Sequence, residues 1–252
     1  MENQINIKYR NVYKPVDIII PFHEHYHTLY ECLDSIIGKT LGVTYTITIV
    51  DDFSSNENFI PNLIKTKKLP IQYLRNKTHK GFGHSLKAGF DKTINDWVLF
   101  MHSDCRIEQT DWLINMHESM ANNKNAGVKL ISAKTNNGGI GSYDENLIGT
   151  INHKPDVIVE NCLPLICCLV HRELFYRING FIKEYPYFGY EHDELFWRMK
   201  FYNYKQAVCG KSFVDHQGGA TVKELLKVTK INKAYEENKN TFIKEIRKLY
   251  NK

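Results

Sequence analysis

The sequence predicts an α/β fold, with a mostly parallel sheet flanked by helices in a single domain that ends in an amphipathic C-terminal helix. Three observations point there. Short β-branched runs alternate with segments of three- and four-residue apolar spacing, the pattern of βαβ units. Each of the first four runs is followed by polar or ionisable residues, as expected at the carboxyl edge of an open sheet, where ligands bind. The chain has 252 residues, 42% of them apolar, enough to bury a substantial core, and shows no repeat, linker or biased tract.

The elements follow in order. Residues 16–20 (VDIII) read as a buried strand closed by Pro21. Residues 26–37 place Leu29, Tyr30, Leu33, Ile36 and Ile37 at helical spacing. Residues 44–50 (TYTITIV) form the next strand, ended by Asp51, Asp52, Phe53, Ser54 and Ser55. A helix over 60–67, a strand over 71–74, a helix over 81–92 and a strand at 97–101 (WVLFM) complete the alternation. Asp111 opens a helix that runs to Asn122, and 128–132 is a further strand. The glycine-rich stretch 136–142 (NNGGIGS) is a loop. Beyond it come a strand over 163–170, a short helix over 171–178, a helix over 190–202 and a closing strand at 207–209. Residues 222–250 put Tyr235, Phe242, Ile246 and Leu249 on one face of an amphipathic helix docked on the domain. The expected division is residues 1–221 as the domain and 222–252 as a basic helix packed on it.

Composition narrows the function classes. No apolar run approaches the roughly 20 residues that span a bilayer, and the polar start MENQINIKYR does not read as a signal peptide. Six cysteines with neither a CxxC pair nor zinc-ribbon spacing read as buried free thiols, consistent with a cytoplasmic location. Of the net charge of +5, residues 222–252 hold the whole excess, with nine Lys/Arg against four Asp/Glu. The balanced body gives no reason to expect a nucleic-acid partner. The basic segment suits peripheral contact with an anionic membrane, a polyanion or an acidic partner, or it is simply a solvated helix face.

Chemistry should gather after the strands, at Pro21-Phe22-His23-Glu24, at Asp51-Asp52, at Arg75-Asn76 and at His102-Ser103-Asp104. GFGHSL at residues 81–86 lacks the third glycine of a dinucleotide fingerprint and follows the third strand, so a redox cofactor site is not expected. Gly81, Gly83 and Gly89 imply close backbone approach, either to a ligand or to a neighbouring strand. Asp104 could hold a divalent cation that bridges phosphates, or it could cap the following turn. Glu191-His192-Asp193-Glu194 crowds three carboxylates and an imidazole at a helix start, where the helix dipole also favours acids. His23, His25 and His27 would share one face of a strand, but Pro21 and the helix near Tyr26 make them diverge, which argues against a zinc site.

In their order, VDIIIPFHE, TITIVDDFSS, NKTHKGFGHSLKAGF, WVLFMHSD, INGF and FGYEHDELFWRM resemble the motifs of family 2 glycosyltransferases with the GT-A, Rossmann-like fold. The resemblance runs from about Val16 to Thr221. It implies a nucleotide-sugar transferase, with UDP as the nucleotide and Mn2+ or Mg2+ as cofactor. Pro21, Phe22, His23, Glu24, Asp51, Asp52, Lys80, Gly81, His102 and Ser103 would bind the nucleotide, and an aspartate can accept the imide N–H of uracil. Asp104 stands at the last aspartate of the family's Asp-x-Asp motif, and His216 resembles a late histidine that supplies a further metal ligand. His102 replaces the first aspartate of that motif. In the Glu-Asp motif His192 stands at the usual aspartate, which leaves Asp193, Glu191 and His192 as candidates for the base. The reaction implied is a direct displacement, inverting the anomeric centre, onto a glycan, lipid or protein hydroxyl. A catalytically inactive nucleotide-sugar- or glycan-binding module is the alternative. A nucleotidyltransferase would need a basic glycine-rich loop after the first strand, which PFHEHYH does not supply.

Overall fold

The computed structural model describes residues 13–67, 69–138, 144–150, 155–182, 185–218 and 229–251. The amino-terminal MENQINIKYR stretch, the end of the 136–142 loop, the 221/222 boundary and the first residues of the 222–250 helix lie outside the described residues.

The sheet is parallel on one side and mixed on the other. Strand β1 (Val16–Phe22) lies parallel between β2 (Tyr45–Asp51) and β4 (Trp97–Met101), and β2 carries β3 (Ile71–Arg75) outside it. Beyond β4 the direction reverses. Strand β8 (Cys167–His171) pairs antiparallel with both β4 and β6 (Val128–Thr135), and β6 then runs parallel to the long β9 (Lys205–His216). The free edge of β9 takes β7 (Val157–Val159) along its first half and β5 (Cys105–Ile107) at its end, both antiparallel.

Burial on both faces explains why the central strands read as short runs rich in apolar and β-branched residues. On one face Ile18, Ile20, Ile47 and Ile49 pack with Leu29 and Leu33 of α1 (Tyr26–Lys39) and Leu113 and Met116 of α4 (Trp112–Asn122). On the other face Ile19, Val50 and Phe100 meet Leu86 of α3 (Phe82–Lys92), Phe175 of α5 (Glu173–Arg177) and Leu195 of α6 (Glu191–Phe201). Gly89 lets α3 approach this face closely, since a Cβ there would lie 2.5 Å from Ile19 Cγ2. Helix α2 (Phe59–Lys67) covers the edge near β3, and α7 (Thr229–Tyr250) lies against α6.

Five strands differ from the sequence expectation. Pro21 does not close β1, which continues through Phe22 in register with Asp51. The pairing of β1 with β4 ends at Ile19 and Phe100, so the N–H that proline lacks costs no ladder bond on that side. Strand β9 has 12 residues where three were expected, because its polar second half is held by pairing with β5 rather than by burial of an apolar run. Strand β8 starts only at Cys167, and residues 163–166, though apolar, form a buried loop behind Pro164. The three-residue strands β5 and β7 carry no periodicity to read.

Candidate active site

The carboxyl ends of β1, β2 and β3 build a rigid rim. Asp51 and Asp52 are both buried. Asp51 Oδ1 accepts the amide of Ser54 at 2.8 Å, and its Oδ2 takes the Tyr73 hydroxyl at 2.8 Å and the Arg75 guanidinium. Asp52 Oδ1 accepts Asn76 Nδ2 at 2.7 Å and the Lys80 amide at 2.9 Å, while Oδ2 accepts the Gly81 amide at 2.7 Å. Both carboxylates are therefore spent on structure: Asp51 ties the turn after β2 to β3, and Asp52 holds the loop between β3 and α3. Replacing Asp52 with Asn would turn an acceptor into a donor against one of these N–H groups. We expect that variant to lose about 3 kcal/mol of stability, measurable by urea denaturation.

Backbone strain collects at this edge. Among the described residues, five of the seven non-glycine residues with positive φ lie in its loops: Glu24, His25, Phe53, Tyr187 and Tyr190. Such conformations cost of order 1–3 kcal/mol each and persist only where the surroundings enforce them. The Glu24 carboxylate accepts the Ser55 amide at 2.6 Å and its hydroxyl at 3.0 Å, and the Glu24 amide donates to Ser54 Oγ. Phe22 is buried and Pro21 continues the strand beneath. His23 stacks on His79, centroids 4.1 Å apart and planes at 14°, with Tyr187 edge-on to His79 at 5.3 Å. Gly81 is fixed by packing against protein, since at φ +108 a Cβ would meet the Tyr187 carbonyl oxygen at 2.2 Å. Among the described residues His25 and His27 join no potential metal cluster with His23.

A second group sits where β4 ends. The His102 amide donates to Ile166 O at 2.8 Å, and Ser103-Asp104 turn the chain into β5. Pairing of Cys105 with His216 then carries Asp104 to the end of β9, and the Gln217 amide donates to Asp104 O at 3.1 Å. One ligand atom from each of His102, Asp104 and His216 lies within 4.8 Å of the other two. His216 Nε2 is 3.2 Å from Asp104 Oδ1 but not aligned for a hydrogen bond, and His102 Nδ1 is 3.9 Å from the same oxygen.

The tautomer of His216 follows from its partner. Nδ1 lies 2.7 Å from the Asn137 carbonyl oxygen, which can only accept, so Nδ1 carries the proton and Nε2 presents a lone pair in the neutral ring. That Nε2 and His102 Nε2 are buried without hydrogen-bond partners, which is costly unless something else binds there. A divalent cation fits this donor set of two imidazoles and one carboxylate. Burial resists the charge on Asp104, but His216 and His102 beside it bring its pKa down to about 2. For His102 burial and then His216 act together and lower the pKa to about 3, so the ring is neutral and able to ligate. Burial also works against the His216 imidazolium, yet the neighbouring Asp104 carboxylate leaves its pKa raised.

The Glu191–Glu194 cluster opens α6 on the same side. Phe82 joins it to the first group, with its ring 5.1 Å from His102 and 5.8 Å from His192. The four residues have separate fates. Glu194 pairs with Arg198 at 3.1 Å inside the fold. Glu191 is 1% exposed, its Oε2 accepting the Gly189 amide at 2.7 Å and its Oε1 buried unpaired, and burial pushes its pKa up to about 7. His192 Nδ1 accepts the Leu165 amide at 3.2 Å, so Nε2 holds the ring proton and can only donate; burial lowers its pKa to about 4. Asp193 is a half-buried carboxylate, and burial raises its pKa. Sequence reasoning missed Phe82, the His79 stack and the Asn137 carbonyl. All three act through tertiary proximity, and none has a motif of its own.

Residues 17–179, well over half of the chain, match the model of glycosyl transferase family 2. The His216 and Glu191–Glu194 positions lie outside that match. A dolichol-phosphate mannosyltransferase of Pyrococcus furiosus is 27% identical over 89 residues, which cover 35% of this chain and 25% of that protein. The matched stretch thus spans a quarter of that relative's length. Among solved structures, GalNAc-T7 with UDP, GalNAc and Mn2+ superposes with a TM-score of 0.66 at 17% identity, covering 81% of this chain and 43% of that one. Residues 1–349 of S. aureus TarS give 0.60 at 16% identity, covering 80% and 60% respectively. These two likenesses establish the fold as that of GT-A proteins.

Proposed function

The chain belongs to glycosyl transferase family 2, and from that premise we propose that it is a metal-dependent, inverting glycosyltransferase that moves a sugar from a UDP-sugar to an acceptor hydroxyl. The observation that carries this reading is the cluster of His102, Asp104 and His216, with two buried imidazole nitrogens lacking partners, facing His192 across the Phe82 ring. Uridine and Mn2+ are supported by the ligands of the GalNAc-T7 structure. The acceptor class, whether glycan, lipid or protein, is set by surfaces that no shared motif encodes.

Each residue then has a task. The rim from Pro21 to Glu24, with the His23–His79 stack, Ser103 and Lys80, receives the nucleotide, while Asp51 and Asp52 hold that rim rigid. His102, Asp104 and His216 would hold a divalent cation, which would supply Lewis-acid neutralisation of the diphosphate leaving group. His192 Nε2–H donates to a leaving-group oxygen as charge grows on it. Asp193, the accessible carboxylate of the cluster, removes the proton from the acceptor hydroxyl, whose oxygen attacks the anomeric carbon as the bond to the diphosphate breaks. One displacement without a covalent intermediate inverts the anomeric centre.

A mixed nitrogen and oxygen donor set ranks cations differently from a site of oxygens alone. We expect Mn2+ or Co2+ to raise the thermal midpoint in the presence of UDP more than Mg2+ does. His102→Asp should narrow or reverse that order, and an unchanged order would remove His102 from the ligand set.

Among the described residues no helix is long and apolar enough to cross a membrane. Peripheral contact with an anionic membrane is supported by the exposed Lys233, Lys239, Lys244, Arg247 and Lys248 of α7, and a cytoplasmic site of action by the six free, buried cysteines. The second reading, a binding module without turnover, is favoured by His102 and His192 at positions where the family has aspartate. Incubation with a panel of UDP-sugars and Mn2+ decides between them. The transferase releases UDP; a module gains thermal stability from the same ligands and releases none.

A further inference from the structure

We propose that α7 is a positioning element for the α6 site residues, and that Asn238 exerts this control through the peptide between Phe188 and Gly189. Asn238 is 3% exposed, and its Nδ2 donates to Pro186 O at 2.9 Å and to Phe188 O at 3.0 Å. The Phe188 carbonyl belongs to the same peptide plane as the Gly189 amide, which donates to Glu191 Oε2. One side chain from the end of the chain therefore sets the tilt of the plane that holds Glu191, the first residue of α6, directly before His192 and Asp193. Hydrogen bonding at the carbonyl end also polarises the amide at the other end.

Aromatic contacts fix the same loop from both sides. Tyr235 packs 5.7 Å from Phe188 and 5.2 Å from Tyr190, and Phe242 stacks on Tyr190 at 5.2 Å. Gly189 at φ +105 leaves just enough room, since a Cβ there would lie 2.7 Å from the Tyr235 ring. Tyr190 itself is held at φ 70. Upstream, the Tyr187 carbonyl accepts the Phe82 amide at 2.9 Å, and the Tyr187 amide donates to Lys80 O at 3.2 Å. The segment is thus pinned to the nucleotide rim by its own backbone at Tyr187, and α7 sets its other end, at the start of α6.

The kinetic part of this inference rests on the transferase reading; the structural part does not, and the experiment separates them. In Asn238→Leu, which loses both hydrogen bonds of the Asn238 side chain, hydrogen exchange at the Gly189 amide should quicken by about tenfold, while β4 amides exchange as before. Transfer should show kcat lowered by about tenfold with UDP affinity within twofold of the parent. Unchanged Gly189 exchange in a folded variant overturns the proposal, as does an equal loss of kcat and UDP affinity, which would indicate general damage. Should the variant not fold, the parent protein still decides, because the Asn238 side-chain amide protons must exchange slowly there, and fast exchange refutes the clamp. Faster Gly189 exchange in a protein that never transfers sugar would retire the transferase reading and leave this one standing.

Discussion

Asp104→Ala is expected to abolish the proposed cation-dependent turnover, with kcat falling by about a thousandfold, since Lewis-acid stabilisation contributes several kcal/mol. Asp104 is the single carboxylate among the three candidate ligands, so its loss leaves two neutral imidazoles to hold a divalent ion. The same variant should lose the rise in thermal midpoint that Mn2+ and UDP give the parent. Folding survives. The Asp104 carboxyl, depressed to about 2, contributes stability present above its ordinary pKa near 3.8 and lost as pH falls toward 2. Removing it costs about 2 kcal/mol at neutral pH, a minor part of a domain's stability. Full activity in this variant, or an undiminished Mn2+ shift, would remove the metal assignment.

The second large effect separates two neighbouring carboxylates. Asp193→Asn should lower kcat by roughly a hundred- to ten-thousandfold, the usual contribution of a general base, with UDP affinity unchanged. Glu191→Gln should keep kcat within about tenfold, because Glu191 is sealed beneath the 186–190 loop and no acceptor hydroxyl reaches it. Its signature is in stability. A carboxyl raised to about 7 by burial holds its proton more tightly in the folded state than in the unfolded chain. The fold is therefore most favoured below pH 4.5 with respect to this group, and stability declines as pH rises through the window from about 4.5 to 7. The decline amounts to at most about 3 kcal/mol, and Glu191→Gln should abolish it, as read from urea midpoints at several pH values. If Glu191→Gln stops turnover while Asp193→Asn does not, the two roles must be exchanged.

Much of the fold was legible because burial leaves a pattern. VDIII, TYTITIV and WVLFM appear as β1, β2 and β4 with at most two residues of difference at an end, since a strand covered on both faces is rich in apolar and β-branched residues. Elements held by their edges left no such record. Strand β5 is three residues with Arg106 exposed in the middle, yet it is the element that carries Asp104 to His216. The second half of β9 was hidden for the same reason.

At the site, the sequence alone determined which chemistry is present: carboxylates and imidazoles placed after the strands, in the order of a known family, because the parallel strands β1 to β4 all end at one edge of the sheet. Only the tertiary structure decided which of them are free to act. Asp51 and Asp52 are spoken for by donors brought from β3 and the loop after it, and Glu191 and Glu194 by their neighbours Gly189 and Arg198, whereas His102, Asp104 and His216 converge with ring nitrogens unpaired. The physical reason is that a hydrogen bond or a ligand set depends on atoms within a few ångströms, and separation along the chain says little about that distance until the sheet has closed it.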